Sequence, residues 1–177
     1  MSNLLEQFLT LHTSPAICGI KASNLICIKD SDSITKEIEE LNKKYPKIRF
    51  YILKRQNGKV LILVFRLSCL KKELSSKDNK CFLEELGYDT SSMEAMLKTL
   101  KSRMKNDDFP HEVGVFLGYD LSDIKSFING MECKYVGYWK VYSNVEEKIK
   151  LFNRYNHCKE VVQKMVNRGY SLENFMR

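Results

Sequence analysis

An α/β or α+β fold, one mixed β-sheet with helices packed against it, is what this sequence predicts, and three observations lead there. Asn57-Gly58 separates two strand-like runs across residues 48–66, and that dipeptide between apolar runs is the strongest short-range hairpin signal. Apolar residues recur at helical spacing through 69–106 and again after residue 143. Between those helical stretches, 113–118 and 134–142 read as strands around a short helix, which predicts a parallel βαβ unit over about 113–142.

The elements follow in order. Leu4, Phe8 and Leu11 stand at i, i+4 and i+7, a short amphipathic helix. Pro15 and Gly19 interrupt it, and Asn24-Leu-Ile-Cys-Ile28 has the composition of one or two short strands. Ile34, Ile38 and Leu41 mark a helix that ends before Pro46. With a two-residue turn, Leu53 faces Ile62 and Tyr51 faces Val64; one hairpin face is then Ile48, Phe50, Ile52, Leu61, Leu63 and Phe65, the core side. Ser91-x-x-Glu94 is a capping box for the stripe Met93, Met96, Leu97, Leu100 and Met104, which reads as core. Asp107, Asp108 and Pro110 break that helix. Asp120 caps a helix carrying Leu121, Ile124 and Ile128, closed by Gly130, and Ser143-x-x-Glu146 opens a long one closed by Gly169.

Composition bounds the class of protein. A chain of 177 residues with 44% hydrophobic and 29% charged residues is of ordinary globular make-up, and a single domain over 1–177 is the natural expectation. No apolar run approaches the ~18 residues of a membrane span, and the first residues lack the pattern of a secretory leader, so a cytoplasmic protein is expected. Six cysteines without a Cys-x-x-Cys spacing are expected to be reduced, structural thiols. The net charge of +7 is uneven: between Glu40 and Glu73 there is no acidic residue, while the interval holds ten basic ones, Arg49, Lys54, Arg55 and Lys59 among them. Such a field attracts phosphate, carboxylate or nucleic acid, or simply guards an edge strand against aggregation.

The chemistry-bearing residues are few. His111-Glu112 follows Phe109-Pro110 at the entrance of the 113–118 segment and suits acid–base work, although it is not a zincin motif and no metal site is expected. Gly114 and Gly118 flank Phe116, and glycines inside a strand signal close approach of a ligand, a ring or a packed helix. Gly118-Tyr119 opens a helix, where ligands of α/β sheets gather, but no phosphate-loop pattern is present. Lys21, between short apolar segments, suits a phosphate or carboxylate, or a nucleophile if desolvated. Cys18 and Cys158 have no neighbour in sequence that lowers a thiol pKa.

The stretches His12-x-x-Pro15, Gly19-x-Lys21-x-x-Asn24-Leu25, Pro110-His111-Glu112-x-Gly114-x-Phe116-Leu117-Gly118-Tyr119 and Val136-Gly137-x-Trp139-Lys140-Val141-Tyr142, with Asp123, Phe127, Phe152, Tyr155 and Cys158, resemble a bacterial family of unknown function found in clostridia and other anaerobic Firmicutes. The resemblance runs nearly end to end. The family often carries a cysteine and a threonine where this chain has Thr13 and Ala16, so a thiol nucleophile there is not expected. The resemblance implies a cytosolic protein with a loose iron or redox association and names no cofactor.

Three readings follow. The first is a small-ligand-binding domain, anionic or redox-related, with an enzymatic site around His111, Glu112 and Lys21 and ligand contacts from Asn24, Gly118, Tyr119, Trp139 and Lys140. The second is a regulatory or interaction protein whose motifs are structural. The third is a polyanion or nucleic-acid binder through the basic hairpin 43–66.

Overall fold

Asn57 and Gly58 take left-handed backbone angles, φ +52° and +67°, as a type I′ turn requires. In this computed structural model, which describes residues 2–106 and 108–175, the turn joins two strands of a three-stranded antiparallel sheet. The strands are β1 (Ser23–Lys29), β2 (Ile48–Gln56) and β3 (Lys59–Arg66), in the order β1-β3-β2. The central place of β3 follows from its sequence. Val60-Leu-Ile-Leu-Val-Phe65 is apolar at every position, so both faces must be covered, and all but Leu61 are buried.

Next to the turn the register is the expected one, with Arg55 opposite Val60 and Lys54 opposite Leu61. At Leu53 the strand β2 carries one extra residue, and beyond it Ile52 pairs with Ile62 and Phe50 with Val64. The expected pairs, Leu53 with Ile62 and Tyr51 with Val64, are therefore off by one. A bulge exchanges the two faces of everything past it. Ile48, Phe50 and Ile52 thus share their core with Val60, Ile62 and Val64, and not with Leu61, Leu63 and Phe65.

That core is closed by helices. In α1 (Ser2–His12) Leu9 points inward while Leu4 and Phe8 of the expected stripe are exposed, so the buried face is not the expected one. In α3 (Ile34–Lys44) Ile34, Ile38 and Leu41 point inward, as their spacing predicts. A single-turn helix, α2 (Ser14–Ile17), adds Ile17. Each such side chain contributes about 1.5–3 kcal/mol over the exposed state. Glu6 is buried beside this core, its carboxylate accepting from Tyr45 Oη at 2.8 Å and Lys44 Nζ at 2.9 Å.

The chain resolves into two compact units, Met1–Leu70 with His157–Arg177, and Lys71–Asn156. The sheet belongs to the first. After α4 (Leu67–Leu74), the second holds α5 (Lys77–Glu85) and α6 (Met93–Arg103), so the helical reading of 69–106 stands. Ser92, one residue past the expected Ser91, caps α6 by accepting from Ala95 N at 3.0 Å. Asp107, one of the expected helix breakers, lies outside the described residues.

The expected βαβ unit is absent. Residues 113–118 are not a strand: Val113–Phe116 forms a single helical turn, α7, and Gly118 at φ +70° ends it. A short, wholly apolar run cannot be told from a buried helix by periodicity, and here the hydrogen bonds Val113 N to Pro110 O and Gly114 N to His111 O start a helix. Packing completes the choice, because Gly114 lets α8 (Leu121–Ile128) approach so closely that a Cβ there would sit 2.9 Å from Ile124 Cδ1. The segment 134–142 is likewise no single strand. It folds back on itself as β4 (Tyr135–Val136) and β5 (Lys140–Val141), an antiparallel pair. Gly137 sits at the reversal, where a Cβ would lie 2.2 Å from the Phe152 ring of the long helix α9 (Val145–Asn167).

Candidate functional site

In the second unit the sequence-predicted residues sit in well-satisfied packing. Glu112 is buried, and its carboxylate accepts from Tyr88 Oη at 2.9 Å and from Arg103 Nε. Burial and the Glu112 charge push the Tyr88 hydroxyl well above its ordinary range. His111 is exposed, its ring edge-on to Phe127, and Lys140 lies over the same ring at 5.2 Å. Gly118 sets the turn into α8, and Tyr119 stacks on Trp139 with centroids 4.5 Å apart. Trp139 Nε1 donates to Asp123 Oδ2 at 2.8 Å, and Asp123 Oδ1 accepts from Tyr142 N at 2.8 Å. Asp123, the buried carboxylate that pins this corner, is a residue for which the sequence offered no role; its position on the inner face of α8 was the available signal.

The first unit gathers different chemistry. Cys18 ends α2, and Gly19 follows with φ +74°. That turn brings Lys21 inside, with Lys21 Nζ donating to Ser23 O at 2.8 Å and only 5% of the residue exposed. Burial, then the positive charge of Lys159, push the Lys21 amine down to a pKa of about 7. Asn24 is committed locally, its Oδ1 accepting from Ala16 N at 3.1 Å. Arg66 donates through Nε to Ile17 O and through Nη2 to Phe175 O at 2.6 Å, which fixes its guanidinium beside the α2 corner.

Thiols lie at the same corner. Cys18 precedes Gly19 at the end of α2, and Cys69 Sγ approaches Gly19 O at 3.7 Å. Interaction with Cys158, helped by Arg66 and outweighing burial, lowers the Cys18 pKa; interaction with Cys18 and burial raise that of Cys158. Sequence reading named both thiols singly, but no spacing rule connects residues so far apart. Among the described residues, no group of three or more His, Cys, Asp or Glu side chains is placed to hold a metal ion.

On the basic hairpin, Arg55 is paired with Asp30 and donates to Thr35 Oγ1 at 2.5 Å, Arg49 is half-buried, and Lys59 is exposed beside the turn. Lys54, also half-buried, sits on β2 where the register shifts.

Fold and site together define an α+β protein that brings a buried amine, a half-buried guanidinium and half-buried thiols to one corner of an antiparallel sheet. The chain belongs to the family described as Protein of unknown function (DUF3793), which matches residues 9–176, in keeping with the resemblance its motifs carry. No curated protein and no solved structure matches it. Among the described residues, no helix is long and apolar enough to cross a membrane.

Proposed function

We propose that this chain is a small-ligand-binding protein of the cytoplasm, and that its ligand is an anion taken up beside Lys21. The observation that carries this reading is the buried Lys21 amine, bonded to Ser23 O, with the charge of Lys159 acting on it and a pKa of about 7. An ammonium held there is disfavoured by desolvation and by a like charge. A carboxylate or phosphate brought against it offsets both terms and fixes the charged form. The same site gives the amine its alternative use as a nucleophile, since near neutral pH a large fraction is unprotonated.

Two measurements on Lys21→Met test the reading. In thermal-shift titrations with inorganic phosphate and with succinate, wild type is expected to melt higher with one of them, by about 2.7 kcal/mol of added stability at a hundredfold excess over Kd. Lys21→Met is expected to show no such shift. An equal shift in the variant, or none in wild type with either anion, overturns the proposal. The variant should fold, because it removes a buried charge. It should also lose a pH dependence: from about pH 7 to the ordinary lysine value of 10.5, the unfolded chain holds a proton the folded chain has released. Stability therefore rises with pH across that window, by on the order of a few kcal/mol at most, and the Lys21 share of the slope vanishes in Lys21→Met.

A further inference from the structure

We propose that the exposed apolar surface at the end of α8 is a docking site for a peptide segment of a partner protein, one that carries a carboxylate beside bulky apolar side chains. The second unit builds this surface from a helix end and a β-ribbon. Phe127 and Ile128 are the last residues of α8. Gly130, at φ +68°, then turns the chain back, and Met131 N bonds to Ser126 O at 3.0 Å, which keeps Met131 at the helix end. The β4–β5 pair supplies the rest. Val136 lies directly opposite Lys140, on the face of the ribbon away from buried Val141. Lys140 Nζ reaches over the Phe127 ring at 5.2 Å and so joins ribbon to helix. The His111 ring stands edge-on to the same phenyl, with centroids 4.9 Å apart.

Exposure sets these side chains apart. Phe127 is 38% exposed, Ile128 46%, Met131 60% and Val136 65%. Apolar side chains scattered singly over a surface are ordinary, but four of them around one ammonium have the composition of an interaction site.

Charge selects the occupant. Among the described residues, neither Lys140 nor His111 enters an ion pair. A second copy docking through the same patch about a two-fold axis would set the two Lys140 ammonium groups close together, which repels. A lipid surface would have to draw the Lys140 ammonium toward hydrocarbon along with the ring it rests on, at a cost that charges in membranes rarely meet. A partner carboxylate placed against Lys140 and the His111 imidazole offsets the loss of water with a charge-assisted bond. Apolar side chains next to that carboxylate then cover Ile128, Met131 and Val136. The contact with Phe127 holds the ammonium in place beforehand, so less freedom is lost when the partner arrives.

The test selects random linear peptides displayed on phage against the full chain, and measures an enriched peptide by fluorescence anisotropy. Enriched sequences are expected to place Asp or Glu next to Phe, Trp, Leu or Ile. Met131→Asp and Val136→Asp change exposed side chains and should leave the melting temperature as it is, while weakening the peptide by about tenfold or more. Lys140→Glu should lose the acidic peptide and bind its counterpart with Lys in place of the acid. Lys98→Glu, the same change of charge at an exposed position of α6, should bind as wild type does. No enriched peptide, an enriched set without acidic residues, or an equal loss in Lys98→Glu overturns the proposal. Binding to phosphatidylglycerol vesicles that Met131→Asp abolishes would overturn it in favour of a membrane contact. A dimer in sedimentation equilibrium that the same variant dissociates would overturn it in favour of a second copy.

Discussion

Glu112 has two donors on its buried carboxylate, Tyr88 Oη and Arg103 Nε, while His111 beside it stands exposed against Phe127. Substitution separates these neighbours. Both donors reach the same oxygen, Oε1, so Glu112→Gln can keep both through its amide oxygen but removes the charge that strengthens them and pairs with Arg103. A loss of about 1–3 kcal/mol in urea unfolding is expected, toward the low side because the Arg103 side chain is 39% exposed. His111→Gln loses an edge contact at the surface and should stay within about 1 kcal/mol of wild type. Equal losses for the two would show that His111 shares the network. A histidine that stability does not need remains available for ligand, and the small expected cost leaves it measurable in binding assays.

At the level of elements, the clearest sequence signals were local and the failures were tertiary. Asn57-Gly58 fixed its hairpin because both residues tolerate the turn's positive φ, and Asp120 capped α8 as its type implies, accepting from Ser122 N at 3.0 Å. The bulge at Leu53 left no mark in the pattern, since β3 is apolar on both faces and accepts either register. Helix α7 and the β4–β5 reversal were misread as strands because their glycines serve packing against partners that only the folded chain supplies. Lys21 stood out as a candidate for anion binding, but nothing nearby in sequence shows that Gly19 turns it inward. The glycines give a graded prediction. Gly114→Ala gains about 1 kcal/mol of helix propensity but forces Ile124 aside, for a net loss of about 0–2 kcal/mol. Gly137→Ala meets the Phe152 ring far more closely, 2.2 Å against 2.9 Å, and should cost more, about 2–3 kcal/mol. The reverse ranking in thermal or urea melts would mean that the hairpin, and not α7, yields to the added methyl.

For the whole molecule, the question is whether a net charge of +7 expresses a nucleic-acid site or only a basic protein. The basic interval looks like a site in sequence, but the structure engages several of its charges within the first unit. Lys44 pairs with Glu6, Arg55 with Asp30, and Arg66 with two main-chain carbonyls. Side chains already bound in this way release fewer counterions when a phosphate approaches. Weak retention on heparin that falls steeply with salt is therefore expected from the overall field, with no dependence on the hairpin. Lys54→Glu with Lys59→Glu lowers the net charge by four, to +3, and so does the same pair of changes at Lys98 and Lys105, exposed lysines of the second unit. Both double variants should elute from heparin at the same reduced salt concentration. If the hairpin pair alone loses retention while the Lys98 and Lys105 pair keeps it, the basic hairpin is a polyanion site after all.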